Sequence, residues 1–147
     1  MRAVIQRVSE ASVEVDGRTV SSIGPGIMIL AAFRRGDDPE NLDWTARKCL
    51  QLRIFQDNEG KMNRSVVDEQ GEVMVVSQFT LYGNCRKGRR PAYTESAPAT
   101  EAGELYRDFI DILGKHYPRI SEGVFGAEMK VRLLNDGPVT LIVDREL

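Results

Sequence analysis

Val73-Met74-Val75-Val76-Ser77-Gln78-Phe79-Thr80-Leu81-Tyr82-Gly83 opens as an unbroken apolar run and turns polar half-way along. The run is the pattern of a strand buried on both faces, which requires a sheet with a cover on each side. Continued as a strand, alternation puts Gln78 and Thr80 on the face of Met74, Val76 and Tyr82, and Ser77 and Phe79 on the other. An amide and a hydroxyl carried into a core cost free energy unless they find partners. Two readings of the pair stay open: they bond neighbouring backbone and do nothing more, or they belong to a site.

The flanking segments supply the rest of a sheet. Ile27-Met28-Ile29-Leu30-Ala31-Ala32-Phe33 is a second buried strand, entered from the break Gly24-Pro25-Gly26. Ala3-Val4-Ile5-Gln6-Arg7-Val8 and Ser12-Val13-Glu14-Val15 read as two strands, with Asp16-Gly17 as a two-residue hairpin turn into Arg18-Thr19-Val20. Residues 129–134 and 139–143 read as two closing strands joined by a turn at Asn135-Asp136-Gly137-Pro138.

Two helices are marked. Asp38 caps the first, Pro39 suits its first position, and Leu42, Ala46, Cys49 and Leu50 fall on one side. Leu52-Arg53-Ile54-Phe55 leaves it as a short strand, and Asp57-Asn58-Glu59-Gly60 turns. The second runs from about Pro98 to Leu113, with Ala102, Leu105, Tyr106, Phe109, Ile110 and Leu113 as its stripe and Gly114 as its stop. Many strands with two helices make an α/β or α+β chain, read as one domain over residues 1–147.

Composition narrows the function. With 147 residues and a formal net charge of −2, the chain has room for a core and no global attraction to nucleic acid or anionic membrane. Contact with RNA requires a local basic patch. No apolar run approaches the roughly 20 residues of a membrane span. The opening residues alternate rather than form the apolar core of a signal peptide, so a cytoplasmic protein is expected. One histidine and two distant cysteines do not make a zinc site of the familiar types, and no metal or cofactor is expected. His116 reads as a settler of a helix end rather than a base, which argues against a serine–histidine–aspartate triad.

Asn84-Cys85-Arg86-Lys87-Gly88-Arg89-Arg90-Pro91-Ala92-Tyr93 concentrates positive charge in an otherwise acidic chain. Phosphate binding needs such charges, and Tyr93 offers a face for a base or sugar. A solvated loop is the competing reading. Gly137-Pro138 reads as turn chemistry, since only about 5–6% of bonds before proline are cis in folded proteins.

Ser77-Gln78-Phe79-Thr80-Leu81 and Asn135-Asp136-Gly137-Pro138-Val139-Thr140 resemble the two signature motifs of the D-aminoacyl-tRNA deacylases. The likeness runs from end to end. Arg2-Ala3-Val4-Ile5-Gln6-Arg7-Val8 matches the family's opening, Lys87-Gly88-Arg89-Arg90-Pro91 its basic loop, and Phe125-Gly126-Ala127-Glu128-Met129 the stretch before the closing strands. Ala92-Tyr93 departs from it, where relatives commonly have serine and phenylalanine.

The resemblance implies a layered α/β/β domain with mostly antiparallel sheets and two main helices. It implies a homodimer with the active site at the subunit interface, and hydrolysis of the ester joining a D-amino acid to the 3′ end of tRNA. Glycine mischarged on tRNA(Ala) is a second implied substrate. The catalytic set it implies is Gln78, Phe79 and Thr80, with the backbone N–H groups of Phe79 and Thr80 facing the developing oxyanion. Ser77, Met129, Gly137, Pro138 and Arg7 are its substrate-binding residues. The Gly137-Pro138 peptide is implied to be cis, overriding the base rate, and to reach into the partner's pocket, with Arg7 holding it in position. Arg86, Lys87, Arg89 and Arg90 would meet tRNA phosphates.

The physical logic is that backbone can fix the amine, ester and Cα hydrogen common to all amino acids, and a stiff wall then excludes an L side chain. The nucleophile stays open between Thr80 and a water assisted by the 2′-hydroxyl of the terminal ribose, the latter favoured because no base is evident for Thr80. Two other functions compete: a catalytically silent RNA-binding module of the same fold, and an unrelated hydrolase using Cys85.

Overall fold

A computed structural model describes residues 1–145. Strand β1 (Arg2–Val15) pairs antiparallel with β8 (Lys130–Asp144) along its whole length, from Arg2 opposite Asp144 to Glu14 opposite Lys130. Its other edge is shared. Strand β3 (Gly26–Ala32) takes the first half of β1 and β2 (Arg18–Ile23) the second, both antiparallel. Strand β6 (Glu72–Ser77) then adds in parallel to β3, and β7 (Ile120–Glu122) in parallel to β6. Between β3 and β6 lie helix α1 (Pro39–Gln51) and a small hairpin of β4 (Phe55–Gln56) and β5 (Met62–Arg64); helix α2 (Ala99–His116) precedes β7.

The sheet has two dressed faces, as the double-sided burial of Val73–Val76 requires. Ile27, Ile29, Ala31, Val73 and Val75 pack with Leu42, Ala46, Cys49 and Leu50 of α1 and Ala102, Tyr106, Phe109 and Leu113 of α2. The alternate residues Met28, Met74 and Val76 join Val8, Ala11, Val13 and Ile23 in a second cluster. β1 therefore passes from one layer to the other: Ala3 and Ile5 belong to the helix side, Val8 to Val13 to the far side. The ladder with β8 shifts register twice between Gln6 and Glu10, where this passage occurs. Phe33 meets Tyr106 and Phe109 edge-on at centroid distances of 6.4 and 6.2 Å, contacts worth about 0.5–1.5 kcal/mol each beyond burial.

The layered α/β arrangement with two main helices agrees with expectation, and several local expectations do not survive. Residues 3–8 and 12–15 form one strand, because continuous pairing with β8 carries the chain across exposed Ser9 and Glu10. Residues 129–134 and 139–143 are not a hairpin. Both stretches pair with β1 in the same direction, and residues 136–139 leave the ladder as an excursion from a single strand. Asn135 closes it, donating from Nδ2 to Arg7 O (2.9 Å) and Val139 O (3.1 Å). Helix α2 runs through Gly114 and ends at Tyr117, whose N–H bonds Leu113 O. Pro118 is the cause, since it drives the residue before it out of the helical region; Tyr117 sits at φ −154°, ψ 126°. The N-terminus of α1 matches, with Asp38 Oδ1 accepting from Asn41 N at 2.8 Å.

Candidate active site

Strand β6 stops at Ser77, the last residue paired to β3, opposite Ala31. Gln78 N–H still reaches Ala31 O (2.8 Å), and the chain then winds into a 3₁₀ turn over Phe79–Tyr82. The expected alternation beyond Ser77 is therefore wrong. Phe79 and Thr80 are exposed rather than driven into the core, and Gln78 is half-buried. The amide and hydroxyl satisfy each other, Gln78 Nε2 donating to Thr80 Oγ1.

The turn has a chemical consequence. The first amide to bond back within it is Leu81 N–H, to Gln78 O at 3.1 Å. The amides of Phe79 and Thr80 lie ahead of that bond, as the orphan donors of a helix start. Arg2 pins the far end of the turn: one of its terminal nitrogens donates to Leu81 O (2.8 Å), and its guanidinium lies 4.7 Å from the Tyr82 ring centre. Asp144 holds Arg2 in turn through Nε at 2.8 Å, and this bond raises the guanidinium pKa further.

Beside the turn opens a cavity of about 870 Å³, toward the upper end of the roughly 300–1,000 Å³ usual for small-molecule sites. Ser77, Gln78 and Phe79 form one part of its wall, and Phe125, Gly126, Ala127 and Met129 another. Met129 is seated against Gly123, where a Cβ would fall 2.6 Å from Met129 Sδ. Tyr93 edges onto Phe79 at the rim, centroids 5.2 Å apart. Gly83 permits this return of the loop, since a Cβ there would lie 2.9 Å from Tyr93 Cε1. Among the described residues the lining contains no carboxylate, imidazole or thiol, and its one charged residue is Arg35.

Of the residues singled out in the sequence, Ser77, Gln78, Phe79 and Met129 share this cavity. Thr80 stands just outside the lining, tied to Gln78. Arg86, Lys87, Arg89 and Arg90 are all exposed on the loop beyond Gly83, whose base is closed by Asn84 and Ala92. Cys85 is exposed and outside the lining; Cys49 is buried, which pushes its thiol up to about 12. His116 is the last residue of α2 and pairs with Asp43 of α1 at 2.7 Å, away from the cavity. That hydrogen bond, with help from Arg47, holds the Asp43 carboxyl below its usual range.

Arg7, Gly137 and Pro138 do not line the cavity of their own chain. The Gly137-Pro138 peptide is cis, and residues 135–138 are exposed. Arg7, itself buried, holds the excursion from below: Nε donates to Asp136 O (3.0 Å) and a terminal nitrogen to Ile54 O (2.6 Å). Sequence reasoning missed Phe125 and Arg35 as lining residues. Phe125 lay inside a quoted motif without a role, and Arg35 sits in a turn with no pattern of its own.

With this geometry in view, comparison with known proteins is decisive. The family described as D-Tyr-tRNA(Tyr) deacylase matches residues 4–144. The chain belongs to this family. A D-aminoacyl-tRNA deacylase of Clostridium acetobutylicum is 49% identical over 144 residues, covering 98% of this chain and 97% of that one. Among solved structures, the c-Myc DNA Unwinding Element Binding Protein superposes with a TM-score of 0.95 at 41% identity, covering both chains fully. A probable eukaryotic D-amino acid tRNA deacylase gives a TM-score of 0.82 at 20% identity over 98% of each chain, a likeness of fold. Membership of the deacylase family makes the chain a hydrolase. Among the described residues no helix is long and apolar enough to cross a membrane.

Proposed function

We propose that this chain hydrolyses the ester of D-aminoacyl-tRNA, freeing the amino acid and the tRNA, and that it proofreads the cytoplasmic pool of charged tRNA. Glycyl-tRNA(Ala) is a second substrate, because glycine has no side chain by which a steric wall can reject it. The observation that carries the reading is the cavity beside Phe79 and Thr80: two orphan amides at the edge of a pocket without acid, base or thiol. Such a site suits an ester whose oxyanion is held by preset backbone donors, a contribution of about 2.7–4 kcal/mol per donor.

Ser77, Gln78 and Met129 seat the terminal adenosine and its ester. The exposed cations Arg86, Lys87, Arg89 and Arg90 meet the tRNA backbone. Selection against L-amino acids falls to Gly137 and Pro138, whose carbonyls take the substrate ammonium in the partner's pocket, with Arg7 as their support. Two facts favour a homodimer. The Gly137-Pro138 excursion stands free of its own cavity, and β8 exposes Leu134 and Ile142, at 57% and 70% of their surface.

The test is incubation with D-tyrosyl-tRNA and L-tyrosyl-tRNA. Release of tyrosine from the D form alone is expected; release from neither means that the chain is a silent RNA-binding module. Sedimentation at working concentration is expected to give a dimer, and a strict monomer would remove the shared pocket.

A further inference from the structure

The cavity wall is uncharged except at one point. Among the described residues Arg35 is the single charged residue in the lining, and it has no ion-pair or hydrogen-bond partner there. Its neighbour Arg34 is committed elsewhere. Arg34 N donates to Asp37 Oδ2 (2.9 Å), Asp37 N bonds back to Arg34 O (3.3 Å), and the Arg34 side chain lies against buried Asp37. Gly36 supplies the left-handed corner of this turn at φ +85°, and a bridge from Arg34 to Ser96 ties it to the segment before α2. Arg35 is thus an exposed, uncommitted cation on a backbone that is locked on either side of it.

The sign of the charge says which part of a substrate belongs there. An esterified amino acid carries an ammonium, which Arg35 repels, so the aminoacyl group occupies the other end of the cavity. The remaining charge on the 3′ end of a tRNA is the phosphate linking the last nucleotide to the one before it. The exposed cations of residues 86–90 lie outside the cavity wall and are absent from its lining.

We propose that Arg35 binds the 5′-phosphate of the terminal adenosine. It is a binding residue that sets the direction in which the nucleotide enters: phosphate at Arg35, ester toward Phe79 and Thr80. The inference rests on the deacylase function proposed above. A guanidinium meets phosphate through paired N–H donors, yet this one is exposed, so its contribution is moderated by solvent.

The test uses adenosine and adenosine 5′-monophosphate as competitive inhibitors of D-tyrosyl-tRNA hydrolysis by the full chain. For the wild type the monophosphate is expected to inhibit about fivefold more tightly than adenosine. Arg35→Gln is expected to bring the two inhibition constants together by weakening the monophosphate alone. Arg35→Lys should keep part of the preference. Thermal melting checks that the variants fold, which an exposed position favours. The same preference in wild type and Arg35→Gln, or equal weakening of both inhibitors, overturns the assignment while leaving the deacylase reading intact. So does failure of the monophosphate to compete. Absence of D-tyrosyl-tRNA hydrolysis by the wild type overturns the deacylase reading, and the phosphate site with it.

Discussion

D-Tyrosyl-tRNA with a terminal 2′-deoxyribose, its amino acid on the 3′ oxygen, is expected to be hydrolysed about 10²–10⁴-fold more slowly than the ribose form. The expectation follows from what the cavity lacks. Hydrolysis of an ester needs a proton taken from water and one delivered to the leaving oxygen, and among the described residues no carboxylate, imidazole or thiol lines the wall. Ser77, Tyr93, Thr94 and Ser96 bring hydroxyls to the wall, none of them a base; Thr80 stands just outside it, its oxygen accepting from Gln78 Nε2, and a neutral amide does not remove a proton. The vicinal 2′-hydroxyl of the substrate is left to handle the proton. As proposed oxyanion donors, the orphan amides of Phe79 and Thr80 should serve both substrates equally, so the comparison isolates the hydroxyl. Thr80→Ala is the companion measurement: it keeps the amide, and a loss of less than about tenfold in single-turnover rate is expected. Undiminished hydrolysis of the deoxy substrate eliminates assistance by the RNA. A loss of many orders of magnitude in Thr80→Ala would instead point to direct attack by that hydroxyl.

The parts of this fold that were legible in the sequence are those in which local pattern and tertiary packing agree. Val73–Val76 and Ile27–Ala31 are buried on both faces because one set of side chains meets the helices and the alternate set meets the folded-over half of β1. Asp38 and Pro39 fix the start of α1 by short-range chemistry alone. The misreadings share another cause. Asn135-Asp136-Gly137-Pro138 has turn composition, but whether a turn reverses the chain depends on its neighbour. Here β1 is long enough to pair on both sides of the excursion. Gly114 looked like a helix stop, yet Pro118 imposes the real one. The break after Ser77 has no local signal, because Gln78, Phe79 and Thr80 tolerate strand and turn alike. Exposure of Phe79 is intelligible only from its neighbours, Tyr93 and the cavity. Arg35 was illegible for a similar reason: a lone arginine acquires meaning only when the wall around it proves uncharged.

Replacing Arg7 with alanine is expected to lower kcat/KM for D-tyrosyl-tRNA about 10²-fold, the size of effect that follows a misplacement of roughly 1 Å at a reacting centre. Arg7 is 8% exposed, and its two hydrogen bonds end on the carbonyls of Asp136 and Ile54, so truncation leaves both acceptors without that donor. The ion pair to Asp136 at 3.3 Å adds little, because that carboxylate is largely in solvent. Stability should fall as well, which a urea titration measures, so activity is read under conditions where the variant is folded. The sharper test uses the fact that Arg7 and the excursion it supports lie outside their own chain's cavity. An Arg7→Ala chain has a sound pocket and a faulty excursion; an Ala127→Trp chain has a filled pocket and a sound excursion. Each alone is expected to be nearly inactive. Mixed dimers pair the sound pocket of the first with the sound excursion of the second, and activity should return on mixing. If it does not return while sedimentation shows that mixed dimers form, the excursion does not act across the interface, and the selection of D over L must be sought within a single chain.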